Sequence, residues 1–233
     1  ICYTFVCLFQ AYTRFKRVDR KEKGRMLRYY PTQVLKLAGV RCSYEGNVPE
    51  LLHECGLTDT PPAYMVLSNH ISWLDIFSLD SQLPSRFIAK AEIAKWPVFG
   101  LIAQQIGTLF INRSSKRAIL RINDDIRGAL CNCEAVTIFA EGTTTFGNEL
   151  LPIKANFIAP ACEIGATVQP VILSYKNKGK PTKRAAFAGD VTLFGSLWNV
   201  VTMEDAEVVV HFLEPITNTK DLTRHEVAKI CEE

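Results

Sequence analysis

Short apolar runs rich in β-branched residues alternate with stretches of helical periodicity along this 233-residue chain, and that alternation restricts the fold more than any other feature. Val40 to Glu45, Tyr64 to Ser68, Arg86 to Lys90, Thr108 to Ile111, Ala135 to Ala140, Val168 to Tyr175 and Val208 to Leu213 read as strands. Trp73 to Ser81, Ile93 to Gln105, Ser115 to Cys131 and Ala155 to Ile164 read as helices, and Thr219 to Cys231 as a closing helix with Asp221 near its start. Pro160 should shorten or kink the helix in which it falls. Strands separated by helices need crossover connections, so the expected fold is α/β, a largely parallel central sheet flanked by helices. Asn47 to Pro62 is a long connector ending in a double proline, separating a basic N-terminal helical region from the sheet core. The expected division is an N-terminal helical segment over 1–39 and an α/β domain over 40–233. With 48% hydrophobic and 22% charged residues, the chain is neither disordered nor a coiled coil. No run reaches the roughly 20 apolar residues of a membrane-spanning helix.

The net charge of +3 conceals an uneven distribution. Between Arg14 and Arg41 ten basic residues face only Asp19 and Glu22, so this stretch carries +8 and the remainder −5. Ile1 to Thr13 in front of it is uncharged and includes Tyr3, Phe5, Leu8, Phe9 and Tyr12. An apolar, aromatic segment followed by a basic one is attracted to an anionic membrane surface, at about 1 kcal/mol per cation held near the lipid. Ile1 to Thr13 reads as the end of a spanning helix, as an interfacial anchor, or as part of an amphipathic helix packed on the core. A signal peptide fits poorly, because its positive region would come first. The first residue is Ile rather than Met, which suggests residues upstream. No nucleic-acid-binding motif accompanies the patch.

Eight cysteines are scattered without a Cys-x-x-Cys pair, and Cys131 and Cys133 would face different sides of a helix, so no zinc site is expected. They read as buried small apolar residues of a reducing cytosol.

The strongest chemical signal is Ser68-Asn69-His70-Ile71-Ser72-Trp73-Leu74-Asp75. It follows a strand and precedes a helix, the place where α/β sheets present reactive groups. Asp75, five positions after His70, can hold one imidazole nitrogen, fix the tautomer and leave the other nitrogen to take a proton. Three further groups arrive at strand ends: Lys90 after Arg86–Ala89, Arg113 after Gly107–Asn112, and Glu141-Gly142-Thr143 after Ile138–Ala140. Singly each reads as a surface cation or a polar turn. Together they bring a general base and two cations to one sheet edge, which suits a phosphate-bearing alcohol. A Ser–His–Asp hydrolase is disfavoured, since no Gly-x-Ser-x-Gly is present and Ser72 lies too near His70 in sequence.

Asn69–Asp75 as Asn-His-x-x-x-x-Asp, 107–113 as Gly-Thr-x-Phe-Ile-x-Arg and 139–143 as Phe-Ala-Glu-Gly-Thr resemble the glycerolipid acyltransferase family, and within it the bacterial lysophosphatidate acyltransferases. Lys90-Ala91-Glu92 and Val168-Gln169-Pro170-Val171 fall where that family has two further blocks, all in family order. The resemblance implies acyl transfer from a thioester, on coenzyme A or acyl carrier protein, to the free hydroxyl of a lysophospholipid, most simply 1-acyl-glycerol-3-phosphate. His70 would be the general base and Asp75 its orienter, with Asn69 shaping the turn. Lys90 and Arg113 would hold the acceptor's phosphate, and Glu141, Gly142 and Thr143 would line its pocket. A backbone N–H near the His70 turn could serve the oxyanion. No metal or redox cofactor is implied, and the expected place of action is the cytoplasmic face of the inner membrane, among membrane lipids. Two positions depart from the family pattern. Ala140 replaces a common Pro, and Thr144 stands where an Arg often contributes to phosphate binding, which puts a lyso-ornithine lipid forward as an alternative acceptor. Lys154-Ala155-Asn156 replaces a turn containing Gly or Ser. A non-catalytic lipid-binding protein is the remaining alternative.

Overall fold

The computed structural model describes residues 18–47, 63–96, 99–112 and 116–233. Helix α1 (Arg20–Leu37) leads into strand β1 (Val40–Gly46), followed by β2 (Tyr64–Ser68), α2 (Leu74–Asp80), β3 (Ser85–Lys90), a 3₁₀ turn (Ala91–Lys95), α3 (Phe99–Gln105) and β4 (Leu109–Ile111). The second half comprises α4 (Lys116–Cys131), β5 (Ala135–Phe139), α5 (Ala159–Ile164), β6 (Thr167–Asn177), β7 (Lys180–Pro181), α6 (Leu193–Val201), β8 (Ala206–Phe212) and α7 (Arg224–Glu232). The sheet order is β1-β8-β6-β2-β5-β3-β4, with β7 paired to the outer end of β6. All pairings are parallel except β6 with β8 and with β7. The largely parallel α/β sheet expected from the alternation is the one observed. The connector after β1 joins two strands of this one sheet, since β1 is already paired with β8, and its residues 48–62 lie outside the described ones.

Alternate residues of β2 belong to different cores. Tyr64 and Val66 face one side with Leu35 of α1, Leu74 and Leu79 of α2 and Val200 of α6. Met65 and Leu67 face the other with Ile122, Ile126 and Leu130 of α4, Ala161 of α5 and Val227 of α7. A strand covered on both faces reads as an unbroken apolar run, and Met65 and Val66 are both fully buried.

Several boundaries differ from the expected ones. Ile93 to Gln105 is two pieces, the 3₁₀ turn and α3, with Pro97 in the sequence between them. The 155–164 helix is also split: a 3₁₀ turn over Ala155–Phe157 precedes α5, which admits Pro160 in its first turn, where the missing N–H costs nothing. The closing helix begins at Arg224 rather than Thr219, after a 3₁₀ turn over Thr219–Asp221, and Thr223 caps it, accepting from the Glu226 N–H while the Glu226 side chain accepts from the Thr223 N–H. Helix α6 was not expected at all: Thr192 caps it, but Gly195 and its β-branched end obscure the helical signal. Of the five described cysteines, Cys42, Cys162 and Cys231 are half-buried and pack against the two cores, whereas Cys131 is exposed at the end of α4, contrary to the expectation of a buried thiol there. Among the described residues no helix is long and apolar enough to cross a membrane. Ile1 to Thr13 and the start of the basic stretch lie outside them.

Candidate active site

The turn from β2 into α2 is built around one carboxylate. Asp75 is fully buried, and its Oδ2 accepts from His70 Nδ1 at 2.8 Å and from the backbone N–H groups of Ile71 at 2.7 Å and Ser72 at 2.9 Å. Its Oδ1 accepts from the Tyr175 hydroxyl at 2.5 Å. Every partner is a donor, so Asp75 works here as an acceptor only, and the Nδ1 proton of His70 is fixed in place. The imidazole lies flat on Phe139, ring centroids 3.8 Å apart, which removes its remaining rotational freedom. Its side chain is 19% exposed, and Nε2 has no hydrogen-bond partner among the described residues.

Neighbouring strands hold the turn. Asn69 spans the gap to β6 with both amide atoms, Nδ2 donating to the Leu173 carbonyl at 3.0 Å and Oδ1 accepting from the Leu173 N–H at 2.7 Å. Glu141, after β5, is buried and accepts from the His70 N–H at 3.0 Å and the Leu151 N–H at 3.1 Å. The Thr145 N–H donates to the His70 carbonyl at 2.8 Å. The amides of His70, Ile71 and Ser72 are therefore all committed, so the expectation that an N–H of this turn serves an oxyanion does not hold for these three.

β2, β5, β3 and β4 run parallel side by side, so their carboxyl ends open on one edge of the sheet. His70 follows β2, Glu141-Gly142-Thr143 follows β5, and Lys90 ends β3 as an exposed side chain in register with Ile111 of β4. At the usual strand spacing, β3 lies about 10 Å from β2. Arg113 lies outside the described residues. Gly142 has φ +73°, and a methyl group there would come within 2.4 Å of Lys154 Nζ, so the ammonium stands directly over the turn. Thr143 is exposed, whereas Thr144 Oγ1 is tied to the Phe187 carbonyl at 2.5 Å.

Two contributors were not recognised in the sequence. Tyr175 is a hundred residues from Asp75. Its one visible signal was a tyrosine in an apolar strand, whose hydroxyl needs a partner when buried. Burial, reinforced by the Asp75 charge, pushes its phenol well above the ordinary value, so it remains a donor. Lys154 stands out in the sequence only as a departure from the family pattern; its position over Gly142 is set by the Lys154 N–H donating to the Ala140 carbonyl at 3.1 Å. A cavity of about 150 Å³, lined by Lys23, Arg86, Gln105 and Glu134, opens at the amino end of β3 and β5, away from His70.

Residues 42–174 match the family model described as Acyltransferase, more than half of the chain, including His70, Asp75, Asn69, Glu141 and Lys154 but not Tyr175 or Phe187. The chain belongs to the acyltransferase family. Within that family it is 43% identical over 154 residues to a 1-acyl-sn-glycerol-3-phosphate acyltransferase of Neisseria gonorrhoeae, a match covering 66% of this chain and 60% of the relative. It is 39% identical to a lyso-ornithine lipid O-acyltransferase of Pseudomonas aeruginosa, over 70% of this chain and 62% of that one. A lyso-ornithine lipid O-acyltransferase of Rhizobium meliloti is 31% identical over 91% of this chain and 74% of its own. The chain thus spans about three fifths of the first two relatives. Among solved structures, the 1-acyl-sn-glycerophosphate acyltransferase PlsC of Thermotoga maritima superimposes with a TM-score of 0.68 at 19% identity, covering all of this chain and 85% of that one, a likeness of fold.

Proposed function

We propose that this chain transfers a fatty acyl group from an acyl thioester to the free hydroxyl of a lysophospholipid, most simply 1-acyl-glycerol-3-phosphate, giving phosphatidic acid. The observation that supports it is His70 with Nδ1 pinned to a buried carboxylate and Nε2 unpartnered at the edge where Lys90 emerges. His70 Nε2 takes the proton of the acceptor hydroxyl as its oxygen attacks the thioester carbonyl. The C–S bond then breaks, and the departing thiolate of coenzyme A or acyl carrier protein receives that proton. Atoms and charges balance without a metal or a redox partner. Asp75 holds the ring and stabilises the imidazolium; Asn69 and Glu141 position the turn that carries it. Lys90, Arg113 and Lys154 receive the acceptor's anionic headgroup beside Gly142 and Thr143, Lys154 supplying the cation that Thr144 does not. The donor arrives from the cytosol and the acceptor from the membrane's cytoplasmic face.

A lyso-ornithine acceptor is the second reading, favoured by Thr144, whose hydroxyl is spent on the Phe187 carbonyl and offers no cation. Labelled palmitoyl thioesters offered with lysophosphatidate and lyso-ornithine lipid side by side separate the two. His70→Ala should fold normally and lose about 10²–10⁴-fold in kcat. Asp75→Asn should cost less, because the base remains. A His70→Ala protein with near-full activity would falsify the mechanism.

A further inference from the structure

Three large side chains of α6 stand out from the protein on one face. Phe194, Trp198 and Val201, at i, i+4 and i+7, are 79%, 64% and 55% exposed, while Ser196 and Val200 on the opposite face are fully buried. The helix contains no charged residue. The stretch 176–184, upstream of it, holds Lys176, Lys178, Lys180, Lys183 and Arg184 and no carboxylate; the carboxylates nearer the helix in sequence are Asp190, Glu204 and Asp205, the last paired with Arg41. Lys178 pairs with Glu204, whereas Lys180, Lys183 and Arg184 are exposed and form no ion pair among the described residues. Arg184 Nη2 donates to Thr202 Oγ1 at 3.0 Å, which puts its guanidinium at the C-terminal end of α6, next to Val201.

This surface adjoins the His70 turn. Trp73 Nε1 donates to Ser196 Oγ at 3.1 Å, tying the inner face of α6 to a residue three positions from His70. Exposed Phe146, in the loop after Thr145, stands 3.6 Å from where a side chain on Gly189 would begin.

We propose that α6, flanked by Lys180, Lys183 and Arg184, is a docking surface for an anionic lipid bilayer, seating Phe194 and Trp198 among the headgroups and turning the His70 edge toward its lipid acceptor; the choice of a bilayer rests on the acceptor being a membrane lipid. An uncharged aromatic face bordered by cations matches the interfacial region of such a bilayer in both polarity and charge. A second copy of this chain fits less well, because a two-fold contact through α6 would bring the same cations face to face.

The test uses the whole chain with phosphatidylcholine vesicles, with and without phosphatidylglycerol, brominated to quench tryptophan. The chain's three tryptophans are Trp73, Trp96 and Trp198, so no quenching can come from residues 1–17. Vesicles should quench the wild type, and Trp198→Phe should abolish most of that quenching while Trp96→Phe leaves it. Phe194→Ser with Trp198→Ser should weaken vesicle partitioning by roughly tenfold at an unchanged thermal midpoint, since both side chains are already in water. Neutralising Lys180, Lys183 and Arg184 to Gln should weaken binding to the anionic vesicles only, by roughly fivefold per cation, as high salt does. Quenching that survives Trp198→Phe overturns the proposal. So does a wild-type dimer that the paired serine substitutions dissociate while vesicle binding persists, or a surface that binds acyl carrier protein and not vesicles. A chain that docks through Trp198 yet transfers no acyl group refutes the acyltransferase reading and leaves the docking surface in place.

Discussion

Asp75 and His70 stand five positions apart in sequence, and their pairing is legible there because a strand-to-helix turn of this length folds one onto the other. Tyr175, which fills the other Asp75 oxygen, is not legible: its contact depends on β6 lying beside β2. Tyr175→Phe keeps the ring and its packing but leaves a buried carboxylate oxygen without a donor. The expected cost is about 1–3 kcal/mol in stability. We expect kcat to fall roughly tenfold with KM unchanged, as a loosened orienter predicts; an unchanged kcat in steady-state assays would reduce Tyr175 to a packing residue. Glu141 illustrates a different limit. Its place in an acidic, glycine-containing turn marked it as a site residue, yet only the structure assigns its two oxygens to the N–H groups of His70 and Leu151.

At the scale of elements, helix α4 is legible because its apolar residues recur with a helical period, and Ile122, Ile126, Ala129 and Leu130 among them form the core beneath β2 and β5. Ile126, fully buried there, is the most informative single truncation. Ile126→Ala should cost about 2–5 kcal/mol. For a chain of this length that corresponds to a midpoint about 4–20 °C lower by calorimetry. Activity measured well below the midpoint should survive, since α4 does not carry His70. The elements that the sequence concealed have identifiable reasons. Pro97 divides one helical period into two pieces, and α6 lacks the polar face that a helical pattern needs. That missing polar face is itself the basis of its proposed contact with lipid.

For the whole molecule, the pH dependence of stability contains a term from Asp80, buried at the end of α2. Its Oδ1 accepts from the Ser85 N–H at 3.0 Å, but burial dominates and raises its pKa well above the ordinary value. A carboxyl raised in the folded state holds its proton more tightly when folded. Its contribution to stability is therefore full below the unfolded pKa and is lost as pH rises through the folded one. Asp80→Asn keeps an acceptor for Ser85 and removes the titration, so its midpoint should exceed that of the wild type at pH 8, with the difference shrinking toward pH 4. Thermal scans across that range check it, and a difference that grows on acidification would contradict it.

By itself the sequence determined the local terms: which runs are strands, that they alternate with helices, that His70, Lys90 and Glu141 lie at strand ends or just beyond them, and that Asp75 stands in the first turn of the helix after His70. Periodicity and turn chemistry act over a few residues and are written in order along the chain. The order β1-β8-β6-β2-β5-β3-β4 was decided by tertiary structure, because strand neighbours are chosen by how two apolar faces are covered at once. With that order came the contacts that no local pattern encodes: Tyr175 on Asp75, Asn69 on Leu173, Trp73 on Ser196, and Lys154 over Gly142. Each joins residues from separate elements, so each exists only once the sheet has closed its two cores.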